Sequence, residues 1–159
     1  MKKHVIATLL ALALGAASLF AADTKGNAKT QWGVGGKLGS LTGVTVQYKM
    51  DKFDIIGGGN VGLWRNWVAG EAGVNFNIMS FDWTPGQWDW TIGAVGEVGF
   101  CFDDDDDGFY LGAFAPFRLN YTFPKAPWTL FVEVGPGLEI LPSVDFDISA
   151  AIGGMYLFD

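Results

Sequence analysis

WTLFVEVGPGLEI, residues 128–140, alternates almost without a break. Trp128, Leu130, Val132, Val134 and Leu138 fall on one side, and Thr129, Glu133 and Glu139 on the other. Successive side chains of a strand point to opposite faces, so a period of two gives one apolar and one polar face. Glu133, in the middle of the run, poses the question that decides the fold: which of these faces meets water?

The same pattern recurs on both sides of this run. Upstream, WGVGGKL (32–38) sets Trp32, Val34 and Leu38 against Lys37, and VTVQYKM (44–50) sets Val44, Val46 and Tyr48 against Thr45, Gln47 and Lys49. FDIIGGGNVG (53–62) sets Phe53, Ile55 and Val61 against Asp54 and Asn60. AGEAGVNFNI (69–78) sets Ala72, Val74, Phe76 and Ile78 against Glu71, Asn75 and Asn77. WDWTIGAVGEVGFCF (88–102) sets Trp88, Trp90, Ile92, Val98 and Phe100 against Asp89, Thr91 and Glu97. FYLGAFAPFRLNYTF (109–123) sets Phe109, Leu111, Phe117, Leu119 and Tyr121 against Arg118, Asn120 and Thr122. Downstream, VDFDISAAIGGMYLF (144–158) sets Phe146, Ile148, Ile152, Tyr156 and Phe158 against Asp145, Asp147 and Ser149. Eight strands are expected. Short stretches with turn chemistry join them: GSLTG, MDK, LWRN, SFDWTPGQ, DDDDDG, PKAP and LPS.

The bulk of the residues chooses between the two faces. A soluble antiparallel sheet buries its large apolar face. An eight-stranded barrel, however, encloses room only for side chains or one small ligand. The Trp, Phe, Tyr and Leu on the apolar face would overfill that interior, whereas lipid outside accommodates them. Trp32, Phe53, Trp88, Trp90, Phe102, Phe109, Phe123, Trp128 and Phe158 lie at or near strand ends, where rings suit the headgroup zones. Lys37, Lys49, Glu71, Glu97, Arg118 and Glu133 all share the polar parity of their strands, so they are expected to form a charge network inside the barrel. The rival is a secreted lipocalin-like carrier of an apolar ligand, which would need its apolar residues on the inward face. A narrow channel for small solutes is a further alternative.

The remaining features bound location and chemistry. Residues 1–22 carry a basic head (Lys2, Lys3, His4), a short apolar run and a stretch of small residues. That is the layout of a secretory signal peptide, with the cut expected near Ala21 or Ala22 and the barrel over 23–159. The formal net charge of the whole chain is −7. Loss of the two lysines makes it more negative, which argues against nucleic acid as a partner. Cys101 is the only cysteine, so an intrachain disulfide is excluded. His4, the only histidine, leaves with the signal, and with it the usual Ser-His and Asp-His chemistry. A non-catalytic protein without a cofactor is expected.

Three motifs bear on chemistry. Gly57-Gly58-Gly59-Asn60-Val61-Gly62 fits a dinucleotide fingerprint, but no helix pattern follows it, so it reads as a glycine-thinned strand. DDDDDG contains Asp103, Asp105, Asp107 and Gly108 at the spacing of a calcium loop, with Phe114 where the bidentate Glu belongs. An EF-hand is excluded, and a weak surface cation site at Asp103, Asp105 and Asp107 is the expectation that remains. The run is placed at an outward hairpin tip, with Gly108 supplying a positive φ for the turn. Asn120-Tyr121-Thr122 is a glycosylation sequon of no consequence inside a bacterial strand.

Residues 33–50 and 118–158 resemble a poorly characterised family of small bacterial eight-stranded outer-membrane barrel proteins. The matching residues are Thr42-Gly43, Asn120-Tyr121-Phe123, Ala126-Pro127, Phe131-Glu133-Pro136 and Ile152-Gly153-Tyr156-Phe158. Leu41 stands where the family pattern has proline. The resemblance implies an eight-stranded barrel and supplies no catalytic residue. The closing YLFD resembles the carboxy-terminal signal read by the barrel-assembly machinery, with Asp159 added after Phe158. The expected whole is an all-β, eight-stranded antiparallel up-and-down transmembrane barrel after a cleaved signal peptide. Its expected partners are outer-membrane lipid and the assembly machinery, and its expected state is monomeric.

Overall fold

A computed structural model describes residues 31–62, 67–83, 85–101 and 108–158. Among them run nine strands: β1 (Gln31–Gly39), β2 (Leu41–Lys49), β3 (Phe53–Gly62), β4 (Trp67–Trp83), β5 (Gly86–Cys101), β6 (Gly108–Phe114), β7 (Phe117–Thr122), β8 (Trp128–Leu141) and β9 (Asp145–Phe158). Every pairing is antiparallel, and β1 pairs with both β2 and β9, which closes the sheet. β6 and β7 occupy one position in the wall, between β5 and β8. Pro116, which has no N–H to donate, separates them. The wall stays bonded across the gap: Gly93 N–H donates to the Pro116 carbonyl (2.7 Å) and Ala115 N–H to the Pro136 carbonyl (2.9 Å). Inward parity also runs unbroken through the gap, from Tyr110 through Phe114 and Pro116 to Arg118 and Asn120. The protein is therefore a closed eight-stranded up-and-down barrel, and the 109–123 run is one of its eight staves.

The faces divide as the alternation requires. In β8, Leu130, Val132 and Val134 are exposed, while Phe131 and Glu133 between them are buried. The same inversion holds around the barrel. Lys37, Glu71, Glu97, Arg118 and Glu133 are buried, and Trp32, Leu38, Val44, Ile55, Val98 and Ile152 are exposed. The apolar surface faces outward.

All eight staves bring aromatics to the end of the barrel that holds Gln31 and Phe158. Trp32 meets Tyr48 (4.7 Å between ring centroids), Phe53 meets Phe76 (6.3 Å), and Trp88 meets Tyr121 (4.8 Å). Tyr121 meets Phe123 (4.8 Å), Trp128 meets Tyr156 (5.2 Å), and Tyr156 meets Phe158 (4.8 Å). At the opposite end, Phe100 packs on Phe109 (6.0 Å). The rings form a belt, and the belt is much denser at one end.

Three connections differ from the sequence expectation. GSLTG shrinks to Ser40, because Thr42 Oγ1 accepts from Gly39 N–H and donates to its carbonyl, which tightens the turn. SFDWTPGQ is mostly strand, since β4 runs past β3 and stays paired with β5 down to Trp83 and Gly86, while β5 keeps β7 as its other partner to Gln87. A bulge between Asn77 and Met79 shifts the register of that extension. Before the bulge, even-numbered residues face out. After it, Met79, Phe81 and Trp83 stand opposite Trp90, Trp88 and Gly86, so odd-numbered residues share the outward face. Finally, Gly108 opens β6 opposite Cys101, and no described glycine has a positive φ, so the expected left-handed turn glycine is not there.

Candidate functional site

The inward face builds a charged layer across the middle of the barrel. Lys37 Nζ of β1 lies 2.6 Å from Glu71 Oε2 of β4 and 3.8 Å from Glu133 Oε1 of β8. Arg118 of β7 donates to Glu133 Oε2 from both Nε (2.9 Å) and Nη2 (2.6 Å), and its guanidinium sits 4.2 Å from the Phe131 ring centroid. Asn60 Nδ2 of β3 donates to Glu71 Oε2 (2.8 Å) and to Glu97 Oε1 (3.4 Å). Tyr110 donates its hydroxyl to Glu97 Oε2 (3.4 Å). Glu71 and Glu97 stand directly opposite each other in register, a like-charge pair that would repel. The amide hydrogens of Asn60 lie between them, and Lys37 balances one of the two.

Five of the six charged residues singled out in the sequence thus meet in one layer. Lys49 does not join it. It lines the mouth at the Gln31 end, with Asp51, Asp54 and Asp89, around a cavity of about 310 Å³. Asp103, Asp105 and Asp107 lie outside the described residues, as does the expected signal segment 1–22.

Sequence reasoning placed Asn60 on the polar, inward face but did not single out Tyr110, Trp67 or Phe131 as interior residues. The signal was present for Tyr110 and Phe131, which share the parity of Arg118 and Glu133. Neither was assigned to a face, because only polar residues were collected on the inward side of their runs. Trp67 borders a stretch read as a turn, and in the structure it points inward and stacks on Tyr110 (5.2 Å, 15° between planes).

Glycines opposite the large inward residues leave room for them. A Cβ on Gly153 would strike the Phe131 ring, which lies across the glycine in the paired strand. Filled in this way, the middle of the barrel keeps only about 10 Å³ of free space between Lys37, Glu97, Phe114 and Arg118. That is about the room of a single water. Chemically, the layer sets two cations, Lys37 and Arg118, against three carboxylates, Glu71, Glu97 and Glu133, and fills the middle of the lumen. Among the described residues no group of three or more His, Cys, Asp or Glu is arranged to hold a metal ion.

No protein-family model and no curated protein matches the chain. Among solved structures, Neisserial surface protein A (NspA) is 10% identical, over 81% of this chain and 94% of that one, with a TM-score of 0.49. The N-terminal β-barrel domain of Pseudomonas aeruginosa OprF is 15% identical, over 81% of this chain and 96% of that one, with a TM-score of 0.52. The likeness is one of fold: this chain has the architecture of an eight-stranded outer-membrane barrel.

Proposed function

We propose that this chain is a small integral outer-membrane barrel with a closed polar interior, a structural or surface-interaction role and no catalytic activity. One observation carries the reading: the barrel is inverted, with charges inside and large apolar side chains outside. Val132, Leu130, Leu38 and Ile152 stand in solvent-facing positions that water would penalise and hydrocarbon would reward. Within the closed wall every stave is also paired on both sides, which is the condition for crossing a bilayer with strands. A soluble carrier would need an apolar lumen, and the charged layer stands where its ligand would sit.

The test is twofold. After cell fractionation, the protein is expected in the outer-membrane pellet. In detergent gels it is expected to migrate faster unboiled than boiled, because a closed barrel resists unfolding in detergent. Recovery in the soluble periplasmic fraction, with one mobility regardless of heating, would overturn the proposal.

A further inference from the structure

The β4–β5 hairpin extends beyond the strands on its β4 side, and its outer face stays apolar all the way to the tip. We infer that this hairpin is an interfacial anchor: Met79, Phe81, Trp83, Trp88 and Trp90 dock into the phospholipid headgroup zone at the Gln31 end of the barrel. The inference rests on the membrane-spanning reading and deepens it by naming a lipid-binding element.

Three observations carry it. First, the bulge after Asn77 re-phases β4. Without it, Met79, Phe81 and Trp83 would turn inward, and Ser80 and Asp82 would turn out. With it, Phe81 stacks on Trp88 (6.4 Å, 5° between planes), Trp88 meets Tyr121, and the face continues the aromatic belt without a gap. Second, Trp83 is the most exposed large apolar side chain described, at 68%, and Met79 on the same face is exposed too. Third, the backbone fixes the depth. Beyond Asn77, whose N–H reaches the Lys52 carbonyl (3.2 Å), β4 pairs with β5 alone. Unpaired N–H and C=O groups along that edge are excluded from hydrocarbon but are satisfied among hydrated headgroups. Aromatic rings with a polar tip prefer that zone.

A strand of another polypeptide is the competing occupant of this edge. The edge is short, Asp82 lies on its inner parity, Pro85 ends it, and Asp51 and Lys52 line the space beside it. Those are the devices by which sheets discourage strand addition. The outward rings favour lipid.

The test uses the mature full-length protein, in a Cys101→Ser background, folded into phosphatidylcholine vesicles. Trp83→Cys, Asp82→Cys and Val132→Cys variants each carry a bimane label. Quenching is measured with aqueous iodide and with lipids brominated near the headgroup or near the chain end. The label at 83 is expected to be quenched most by bromine near the headgroup and little by iodide, and the label at 82 the reverse. Deleting Ile78, the extra residue of the bulge, is expected to exchange the two environments. A label at 83 as open to iodide as the one at 82 would overturn the anchor, and so would one quenched mainly by bromine near the chain end. Val132 separates the two failures. Lipid quenching there, with iodide quenching at 83, sinks the anchor alone, whereas iodide quenching at Val132 sinks the membrane-spanning reading and the anchor with it.

Discussion

Arg118 concentrates the energetics of the interior in one side chain. It is 2% exposed, and both of its bonds to Glu133 end on a single carboxylate oxygen, with the Phe131 ring beneath. Removing one partner of a buried pair strands the other's charge, which costs about 3–5 kcal/mol, whereas removing both often costs little. Arg118→Ala is therefore expected to unfold at a clearly lower urea concentration in lipid vesicles. Arg118→Met combined with Glu133→Leu is expected to recover most of that loss, since Lys37 keeps Glu71 at 2.6 Å. Equal urea midpoints for Arg118→Ala and the parent would show that the pair contributes nothing. Gly153 makes the complementary point about volume. Gly153→Val would drive a branched side chain into the Phe131 ring and is expected to cost about 1–3 kcal/mol by overpacking, read from the same denaturation.

At the scale of the strand, register makes the sharpest statement. A slip of one residue would exchange every lipid-facing side chain of a stave for a lumen-facing one. Charge on the outer face therefore carries a depth-dependent penalty: about 2–4 kcal/mol for arginine near the midplane, falling to about 0–1 kcal/mol near the interfaces. Val132 lies within β8, away from its ends, and Trp128 opens the same strand in the aromatic belt, and both face out. Val132→Arg is expected to lower the folded, heat-modifiable fraction in vesicles far more than Trp128→Arg. Similar effects at both positions would contradict the assigned depth. β4 shows why register cannot be carried along a whole stave by parity alone. The bulge after Asn77 reverses it, so Ile78 belongs to neither half cleanly.

For the molecule as a whole, the consequence of the charged layer is closure. Eight strands enclose an interior that side chains can fill, and here Lys37, Glu97, Arg118 and Glu133, with Phe114, leave about 10 Å³ between them. The mouth at the Gln31 end keeps about 310 Å³, so it is a blind vestibule above a plug. Purified protein in a planar bilayer is expected to give no steady single-channel current. Lys37→Ala, Arg118→Ala and Phe114→Ala combined are expected to introduce one, provided the triple variant still shows heat-modifiable mobility. Large steady currents from the parent would refute the plug.

Alternation in residues 128–140 and its seven counterparts was enough to determine the strand count, the antiparallel meander and the inverted faces. Those are properties of period two and of side-chain bulk, and both are local. The interior parity of Lys37, Glu71, Glu97, Arg118 and Glu133 was legible for the same reason. Partner choice was not. Which acid takes Arg118, and that Lys49 sits apart at the mouth, depend on stagger between strands far apart in sequence, and Asn60 reaches both Glu71 and Glu97 only once β3, β4 and β5 are aligned. The inward facing of Tyr110 and Phe131 followed from parity, but the room for the Phe131 ring across Gly153 and the stacking of Trp67 on Tyr110 were decided by tertiary packing. The long β4–β5 hairpin was hidden by its own turn-forming residues. Pro85 and Gly86 mark a turn correctly, but only cross-strand pairing shows that Phe81, Trp83 and Trp88 on either side of it are strand. One extra residue in a strand has no signature in composition; it becomes visible when its partner strand lacks a match for it.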